Sequence, residues 1–408
     1  MTADALLDRD AAAIAEAVRA RTVPAVAVAE AALARIAARN PSLNAFTEVT
    51  ADRGLAEARA VDQAIVRGED PGPLAGVPFA VKNLFDIRGL ATRAGSRIGR
   101  ASPPAAQDAT AIRRLRAAGA VLVGALNMGE YAYDFTGENA HDGPARNPHD
   151  PARMAGGSSG GSGAAVAARL VPLALGSDTN GSIRVPAAFC GVFGLKPTFG
   201  RLSRAGTEPF VASLDHIGPL ARSVRDLALA YDAMQGWDAE DPACRRKAAE
   251  PVGDRLGLGA QGLRVACLDA AFGEGATAEA VAAVEASARA LGVTRTIALP
   301  EIPRARAAAQ IITAAEAGAL HLDRLRTRAL DYDPATRDRF LAGALLPAAW
   351  LLAAQRFRRW FFERTMETFR DVDVLLAPAT PFPAPPLGAA GAIRLGDREV
   401  PLRAAIGL

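Results

Sequence analysis

Two glycine- and serine-rich stretches decide the fold of this 408-residue chain. Residues 156–163 read GGSSGGSG, and residues 176–184 read GSDTNGSIR. The first stretch runs directly into residues 164–168, AAVAA, which are apolar enough to form a buried helix. A flexible linker would be followed by polar residues rather than by a buried segment. We therefore interpret the two stretches as loops that flank one short helix of the core.

Two chemical roles are then considered for such loops, phosphate binding and nucleophilic catalysis. A phosphate-binding loop is disfavoured because no Lys-Ser or Lys-Thr pair follows, and no acidic residue is placed as in dinucleotide folds. Nucleophilic catalysis by serine needs a base, which is most often histidine, and no histidine accompanies these loops. Lysine can replace histidine where burial lowers its pKa. Lys82 follows the apolar run 77–81, and a second serine hydroxyl could relay the proton between lysine and nucleophile.

Outside these loops, helical and strand patterns alternate along the chain. Residues 8–39 predict two helices, the second beginning at Pro24. Residues 77–81 predict a buried strand. Asp108 is the expected N-cap of a helix over residues 109–118, with Gly119 just after its end and a strand over 120–123.

The second half of the chain repeats this alternation. Patterns favour strands at 263–268, 294–299 and 372–377, a helix at 277–291, and a mostly helical region over 303–368. The apolar run 341–354 is interpreted as a buried helix pair, since it falls short of the ~20 residues that cross a bilayer. An α/β fold with a large mixed sheet in one domain follows.

Composition excludes several classes of protein. The 47 Lys and Arg residues nearly balance the 44 Asp and Glu residues, which disfavours a dedicated nucleic-acid binder. Cys190, Cys244 and Cys267 are too far apart in sequence for a structural zinc site or a disulfide scaffold, and the four histidines lack ligand spacing. The first ten residues lack the features of a signal peptide, so we expect a cytoplasmic protein.

The motifs resemble those of the amidase signature family, the Ser–cis-Ser–Lys amidohydrolases. The resemblance rests on residues 156–163 and 176–206, and extends to GVPFAVK at 76–82, RNP at 146–148 and APATP at 377–381. It implies an α/β/α sandwich with a large mixed, mostly parallel sheet flanked by helices. It also implies a single amidase domain over residues 1–408, divided into N-terminal helices (1–65), a signature core (66–242), an α/β and helical cover (243–370), and a returning strand with a tail that stops early (371–408).

The resemblance also implies roles for individual residues. Ser182 would be the nucleophile, Ser158 the bridging serine after a cis peptide bond, and Lys82 the base. The backbone N–H groups of Thr179, Asn180, Gly181 and Ser182 would form the oxyanion hole. The family usually has glycine at position 180 and often aspartate at position 83, where this chain has asparagine. No cofactor and no metal are implied.

Residues 128–141, MGEYAYDFTGENAH, indicate the substrate class. They resemble the branch of the family that hydrolyses 1-carboxybiuret in cyanuric acid and s-triazine degradation. That resemblance implies a small urea-like substrate, release of ammonia, a small accessory subunit, and a homodimer or heterotetramer that binds neither nucleic acid nor membrane. The expected substrate-binding residues are Tyr131, Tyr133, Phe135, Asn180 and Arg358, the last as a cationic clamp.

Other interpretations remain open at this point. The chain could be the glutaminase component of a tRNA-dependent amidotransferase, or a general aliphatic or aryl amidase. A non-catalytic binding module is disfavoured because Lys82, Ser158 and Ser182 are all present. Among the neighbouring residues, we expect Asp178 and Arg184 to form a structural ion pair and Cys190 to pack as a small apolar residue, while Ser159 and Ser162 cap the short helix.

Overall fold

The computed structural model describes residues 2–269, 275–389, 392–395 and 398–406. The chain folds as two compact units. Unit 1 comprises Met1–Pro209 and Leu214–Leu256, and unit 2 comprises Phe210–Ser213 and Gly257–Leu408. The single amidase domain expected over residues 1–408 stays a prediction. Parts of its expected regions 243–370 and 371–408, including the last two residues of the tail, lie outside the described residues.

Unit 1 is built on a mixed sheet. Within the described residues this sheet has six strands in the order β1-β3-β2-β6-β8-β7, and a separate hairpin pairs β4 with β5. The strands are β1 (Phe46–Val49), β2 (Pro78–Lys82), β3 (Val121–Leu126), β4 (Arg146–Asn147), β5 (Asp150–Met154), β6 (Leu173–Asp178), β7 (Phe193–Gly194) and β8 (His216–Ala221).

Helices flank this sheet. They are α1 (Ala3–Leu6), α2 (Ala11–Arg19), α3 (Ala25–Leu43), α4 (Ala51–Val66), α5 (Thr110–Ala117), α6 (Gly160–Ala167), α7 (Arg184–Cys190) and α8 (Val224–Met234). The short helix α6 packs against β2, β6 and β8, and its residues from Gly160 to Val166 are all buried. A short buried helix forms here as the sequence predicted, but the two stretches are not both loops at its ends. Residues 160–163 of the first stretch are the first turn of α6, and residues 176–178 of the second stretch belong to β6.

The pairing of the central strands positions the site. β2 runs parallel to both β3 and β6, with Val81 opposite Leu175. Because parallel strands end at the same edge of a sheet, Lys82 and the last residues of β6 meet there. The expected mixed sheet flanked by helices is confirmed. Among the described pairings of this sheet, the three that involve β1, β8 and β7 are antiparallel, so parallel pairing is confined to its centre.

The two N-terminal helices and the glycine after α5 are confirmed in unit 1, but the helix cap predicted at Asp108 is wrong. α2 and α3 form at the N-terminus with Pro24 as the N-cap of α3, and Gly119 follows α5 in a left-handed conformation. Asp108, however, does not cap α5, whose N-cap is Ala109. The Asp108 carboxylate instead accepts hydrogen bonds from the guanidinium of Arg53 and the backbone N–H of Arg88. A charge-assisted bidentate pair with arginine is stronger than a cap.

Unit 2 contains a smaller sheet and a set of long helices. Its strands are β9 (Val265–Leu268), β10 (Thr296–Ile297), β11 (Val374–Leu376), β12 (Ala392–Leu395) and β13 (Arg398–Pro401), and its helices are α9 (Ala278–Ala290), α10 (Ile302–Arg328), α11 (Pro334–Ala344), α12 (Ala348–Thr368) and α13 (Leu402–Ile406). β9 lies between β10 and β11 and is parallel to both. The helical region predicted over 303–368 is confirmed.

The prediction that residues 341–354 are a buried helix pair is wrong in one respect. The segment does contain the end of α11 and the start of α12, but 83% of Leu345 and 62% of Leu352 are exposed. The reason is that α10 and α11 approach each other through glycines. A Cβ on Gly343 would overlap the backbone carbonyl of Ala314, and a Cβ on Gly318 would overlap the backbone of Ala344. The glycines face the neighbouring helix, and Leu345 and Leu352 face outward.

No single helix among the described residues is long and apolar enough to span a membrane. Only α11 and α12 taken together, which meet at a bend of 94°, satisfy the criteria of length and composition.

Candidate active site

The expected base and bridging serine lie in direct contact. Lys82 ends β2 and is completely buried. Its Nζ donates hydrogen bonds to Ser158 Oγ at 2.7 Å and to Ser177 Oγ at 2.8 Å. Both serines are buried, and Ser177 belongs to the neighbouring strand β6. A lysine and two hydroxyls thus form a closed polar cluster at the edge of the central strands.

Burial gives this lysine unusual acid–base chemistry. Removal from water lowers the pKa of Lys82 from its ordinary value of 10.5 to about 7. The negative charges of Asp178, Asp215 and Asp134 act in the opposite direction and limit the fall. A pKa near 7 makes the neutral amine available at physiological pH, which is the requirement for a general base.

The loop before α6 carries Ser158. The peptide bond between Gly157 and Ser158 is cis, as the family resemblance implied. Backbone hydrogen bonds attach this loop to residues 128–141, which we call the aromatic segment. They run from Gly157 N to the carbonyl of Phe135 and from Gly129 N to the carbonyl of Ser158. Ser159 N donates to the carbonyl of Ser182 at 3.2 Å. The bridging serine and the expected nucleophile therefore sit on adjacent backbones.

Ser182, the expected nucleophile, lies in the loop between β6 and α7, and after this expectation we call residues 179–182 the nucleophile loop. Ser182 is 3% exposed. Within the described residues, the structure shows no hydrogen bond that reaches its Oγ.

Asp178 holds the nucleophile loop from inside the fold. Its carboxylate accepts hydrogen bonds from the backbone N–H groups of Gly181 and Ile183 and pairs with the guanidinium of Arg184. Burial alone would raise the pKa of Asp178, but the Arg184 guanidinium holds it below its ordinary value. The expected structural ion pair is present. The expectation that the N–H of Gly181 contributes to the oxyanion hole needs correction, because this N–H already donates to Asp178 at 2.8 Å.

Asparagine at position 180 causes no backbone strain. The residue is partly exposed and is not among the residues with positive φ. The left-handed conformation of this loop falls on Gly181, with φ of 145°. A Cβ there would lie 3.4 Å from the ring of Phe135, so this phenylalanine borders the nucleophile loop.

Buried hydrogen bonds hold the aromatic segment in place. Tyr131 and Tyr133 are buried and Phe135 is half-buried. Tyr131 and Ala132 both have positive φ, which is rare for residues other than glycine. The buried Glu130 fixes the segment by accepting hydrogen bonds from Ser96 Oγ and His141 Nε2 at 2.7 and 2.9 Å. Within this segment, the ring of Phe135 lies beside the nucleophile loop.

Arg358, the expected clamp, belongs to unit 2. It lies on α12, and its guanidinium donates to the hydroxyl and carbonyl of Ser213 at 3.2 and 3.0 Å. Ser213 also donates its N–H and hydroxyl to Glu316. Arg358 is thus part of a polar cluster with Glu316 and Ser213.

The neighbouring serines have a different role from the one predicted. Ser159 occupies the N-cap position of α6 but makes no capping hydrogen bond, and its hydroxyl donates to the carbonyl of Ser177. Ser162 Oγ donates to the carbonyl of Leu175. The capping prediction is therefore wrong, since both hydroxyls join α6 to β6. Cys190 packs as expected, and burial raises its pKa to about 12, so its thiol is unreactive.

Sequence reasoning missed two residues of the site, Ser177 and Asp215. Ser177 supplies the second hydroxyl to Lys82, and Asp215 contributes a nearby negative charge. Parallel pairing of two buried strands that end in Lys82 and Asp178 was a usable signal for Ser177. Asp215 lies 37 positions after Asp178 and no local pattern marks it; only the pairing of β6 with β8 brings the two together.

The chain is similar in sequence to several known proteins. The amidase family model matches residues 27–402. The AtzE component of 1-carboxybiuret hydrolase from Pseudomonas sp. strain ADP is 56% identical over 381 residues, 93% of this chain and 83% of that protein. A glutamyl-tRNA(Gln) amidotransferase subunit from Methylococcus capsulatus is 39% identical over 403 residues, 91% of this chain and 82% of that protein.

The fold of this chain is also similar to that of a solved structure. That structure is described as an unexpected vestigial protein complex that reveals the evolutionary origins of an s-triazine catabolic enzyme, and it matches with a TM-score of 0.96 at 54% identity. The match covers 98% of this chain and 87% of that one. The chain therefore belongs to the amidase family and is a hydrolase of carbon–nitrogen bonds.

Proposed function

We propose that the protein hydrolyses a small urea-type amide through an acyl-enzyme on Ser182. The observation that carries this proposal is the 2.7 Å hydrogen bond from Lys82 Nζ to Ser158 Oγ. The pKa of this lysine is about 7, so its neutral form is available as a base. Neutral Lys82 takes the proton of Ser158 while Ser158 takes the proton of Ser182, whose oxygen attacks the carbonyl carbon. The N–H groups of Thr179, Asn180 and Ser182 are the proposed donors to the developing oxyanion.

The same groups then complete the reaction. As the tetrahedral intermediate collapses, the carbon–nitrogen bond breaks and the proton held by Lys82 passes through Ser158 to the leaving nitrogen, which departs as ammonia. Water attacks the acyl-enzyme with the neutral lysine again as base. Ser182 leaves with a proton, and the acid product is released.

For the substrate, we propose 1-carboxybiuret. Support comes from the 56% identity to the AtzE component and the TM-score of 0.96 to the s-triazine complex. In this proposal Phe135 and Asn180 contact the substrate beside the nucleophile loop, Tyr131 and Tyr133 shape the wall behind them, and Arg358 provides positive charge for the carboxylate. The site needs no cofactor or metal in this chemistry.

The glutaminase component of a tRNA-dependent amidotransferase is the second candidate. It is favoured by the 39% identity to the amidotransferase subunit from Methylococcus capsulatus. Glutamine would release ammonia by the same steps, with Arg358 again as the partner of the substrate carboxylate.

We further propose that the protein is cytoplasmic and works with a small accessory subunit, with a homodimer or heterotetramer as the assembly. The solved relative is described as a protein complex, and the amidotransferase relative is named as one subunit of its enzyme. The exposed leucines at the junction of α11 and α12 are apolar surface of the kind that partners cover. Cys190, Cys244 and Cys267 are unpaired, which suits a reducing compartment.

Ammonia release from four amides tests these proposals. The purified protein, alone and with a candidate small subunit, is given 1-carboxybiuret, biuret, glutamine or acetamide, with Ser182→Ala as the control. We expect release from 1-carboxybiuret and none from the control. Release from glutamine would favour the second candidate, and release from acetamide a general amidase. Unchanged activity of Ser182→Ala would exclude Ser182 as the nucleophile.

A further inference from the structure

The nucleophile loop has a second anchor besides Asp178. The hydroxyl of Thr179 donates a hydrogen bond to Asp215 Oδ1 at 2.6 Å. Thr179 directly follows β6, and Asp215 directly precedes β8. These strands are antiparallel, with Asp178 opposite His216, so their register places Thr179 beside Asp215.

The two aspartates hold opposite ends of the same short loop. Asp178 binds the backbone at Gly181 and Ile183, on either side of the nucleophile. Asp215 binds the side chain of Thr179, the first residue of the loop. With Thr179 released, the peptide between Thr179 and Asn180 could rotate while the Asp178 contacts stayed intact. That peptide carries one of the N–H groups proposed for the oxyanion.

We propose that Asp215 is a positioning residue that, by binding the Thr179 hydroxyl, holds the nucleophile loop in the conformation needed for acylation of Ser182. This inference rests on the proposed function, since it assumes that Ser182 is acylated. Asp215 acts through Thr179 and does not itself touch the substrate in this scheme. An N–H group displaced by a fraction of an ångström loses much of its stabilisation of the oxyanion.

The hydrogen bond and the charge of Asp215 have separable consequences. The charged groups that act on Lys82 are Asp178, Asp215 and Asp134, and each raises its pKa against the effect of burial. Asp215→Asn keeps an oxygen that can accept the Thr179 hydroxyl but removes the charge, so the pKa of Lys82 should fall. Thr179→Val removes the hydrogen bond and keeps the charge.

The test measures acylation chemistry without a natural substrate. A fluorophosphonate reagent phosphonylates an activated serine, and the rate at Ser182 is followed by intact-protein mass spectrometry across pH. The variants are Thr179→Val, Thr179→Ser, Asp215→Ala, Asp215→Asn and the double variant Thr179→Val/Asp215→Ala. The matched control is Thr110→Val, because Thr110 Oγ1 donates to Asp238 at 2.7 Å in another Thr–Asp pair of unit 1.

We expect Thr179→Val and Asp215→Ala each to slow phosphonylation about tenfold, as misplacement of a catalytic donor does. The double variant should be no slower than the slower single variant, because both remove one interaction. Thr179→Ser should restore the rate. Asp215→Asn should keep most of the maximal rate and move the acidic limb of the profile to lower pH, whereas Thr179→Val should not move it.

Three results would overturn the inference: additive effects in the double variant, a loss in Thr110→Val equal to that in Thr179→Val, or a wild-type rate in Thr179→Val. If Asp215→Ala does not fold, Thr179→Val still decides the question. Failure of the proposed function is distinguishable, since labelling that persists in Ser182→Ala removes the nucleophile assignment. Labelling of Ser182 without turnover of any of the four amides removes only the substrate proposal.

Discussion

At the scale of single residues, the site depends on one lysine that is buried away from solvent. Lys82 is fully buried, its Nζ donates hydrogen bonds to two serine hydroxyls, and its pKa falls to about 7. The three carboxylates nearby keep the pKa from falling further. In the proposed mechanism, the reactivity of Ser158 and Ser182 therefore follows from the placement of Lys82 rather than from any property of the serines.

This placement predicts the pH dependence of the reaction. A base must be neutral, so kcat/KM should rise about tenfold per pH unit below about 7 and level off above it. Lys82→Arg should lower activity at least about a hundredfold, because a guanidinium stays protonated at any working pH. A pH–rate profile and circular dichroism of the variant check both points. A flat profile from about one unit below to one unit above the pKa would contradict this role for Lys82.

Ser177 predicts a second effect at the same scale. Ser177→Ala removes one of the two hydroxyls bonded to Lys82 Nζ, so a buried donor loses its partner. We expect a loss of about 1–3 kcal/mol in the free energy of unfolding, together with slower acylation. Ser162→Ala is the matched control, since Ser162 is also buried but bonds only a backbone carbonyl. Urea unfolding and the phosphonylation rate should separate the two, and acylation slowed equally in both would argue against a role for Ser177 in the site.

At the scale of elements, sequence patterns predicted what is local. The strand ending in Lys82, the helix between the serine loops and the helical region of unit 2 all carry their signals within a few residues of themselves. The contacts of Ser159 and Asp108 were misjudged because both depend on distant partners, the carbonyl of Ser177 and the guanidinium of Arg53. Asp215 was missed for the same reason, since its place in the site is created by strand pairing.

Glycines in unit 2 provide a test of how helices pack there. Gly343→Ala should destabilise the protein by about 1–3 kcal/mol, because the added methyl group would overlap the Ala314 carbonyl on α10. Helix propensity alone favours alanine over glycine by about 1 kcal/mol and would stabilise the protein. Steric overlap and helix propensity therefore predict changes of opposite sign in the free energy of unfolding. Gly257→Ala is the control, with open space around its Cβ position. Thermal unfolding of both variants decides, and a Gly343→Ala protein as stable as the control would contradict this packing.

At the scale of the whole molecule, a buried histidine links stability to pH. His321 of α10 is fully enclosed, contacts Tyr332 Oη at 2.9 Å and packs on the ring of Phe340. Burial, with a smaller contribution from Arg324, lowers the pKa of His321 from 6.5 to about 3. Between these values the unfolded chain binds a proton that the folded chain does not. The stability that this group contributes is therefore fully present above about pH 6.5 and is lost as the pH falls toward about 3.

This linkage can be measured by comparison with a variant that does not titrate. From about pH 6.5 to about pH 5, wild type should lose about 2 kcal/mol more of unfolding free energy than His321→Leu. Taking the difference removes contributions from other groups, including His216, whose pKa is also lowered, to about 4. Hydrogen exchange in α10 and α11 reports on the region concerned. Equal losses in the two proteins would show that His321 does not carry the acid sensitivity.

The short segment Phe210–Ser213 has a consequence for whether proteolytic fragments of the chain separate. It belongs to unit 2, yet it is followed by 43 residues of unit 1, so the polypeptide enters unit 2 twice. A protease that cut the exposed stretch near Leu258 would sever one connection only. Ser213 would remain in the N-terminal fragment while Glu316 and Arg358, its hydrogen-bonding partners, lay in the C-terminal fragment. The two fragments are thus expected to co-elute after nicking and to separate only in denaturant, as in a complemented enzyme assembled from two pieces.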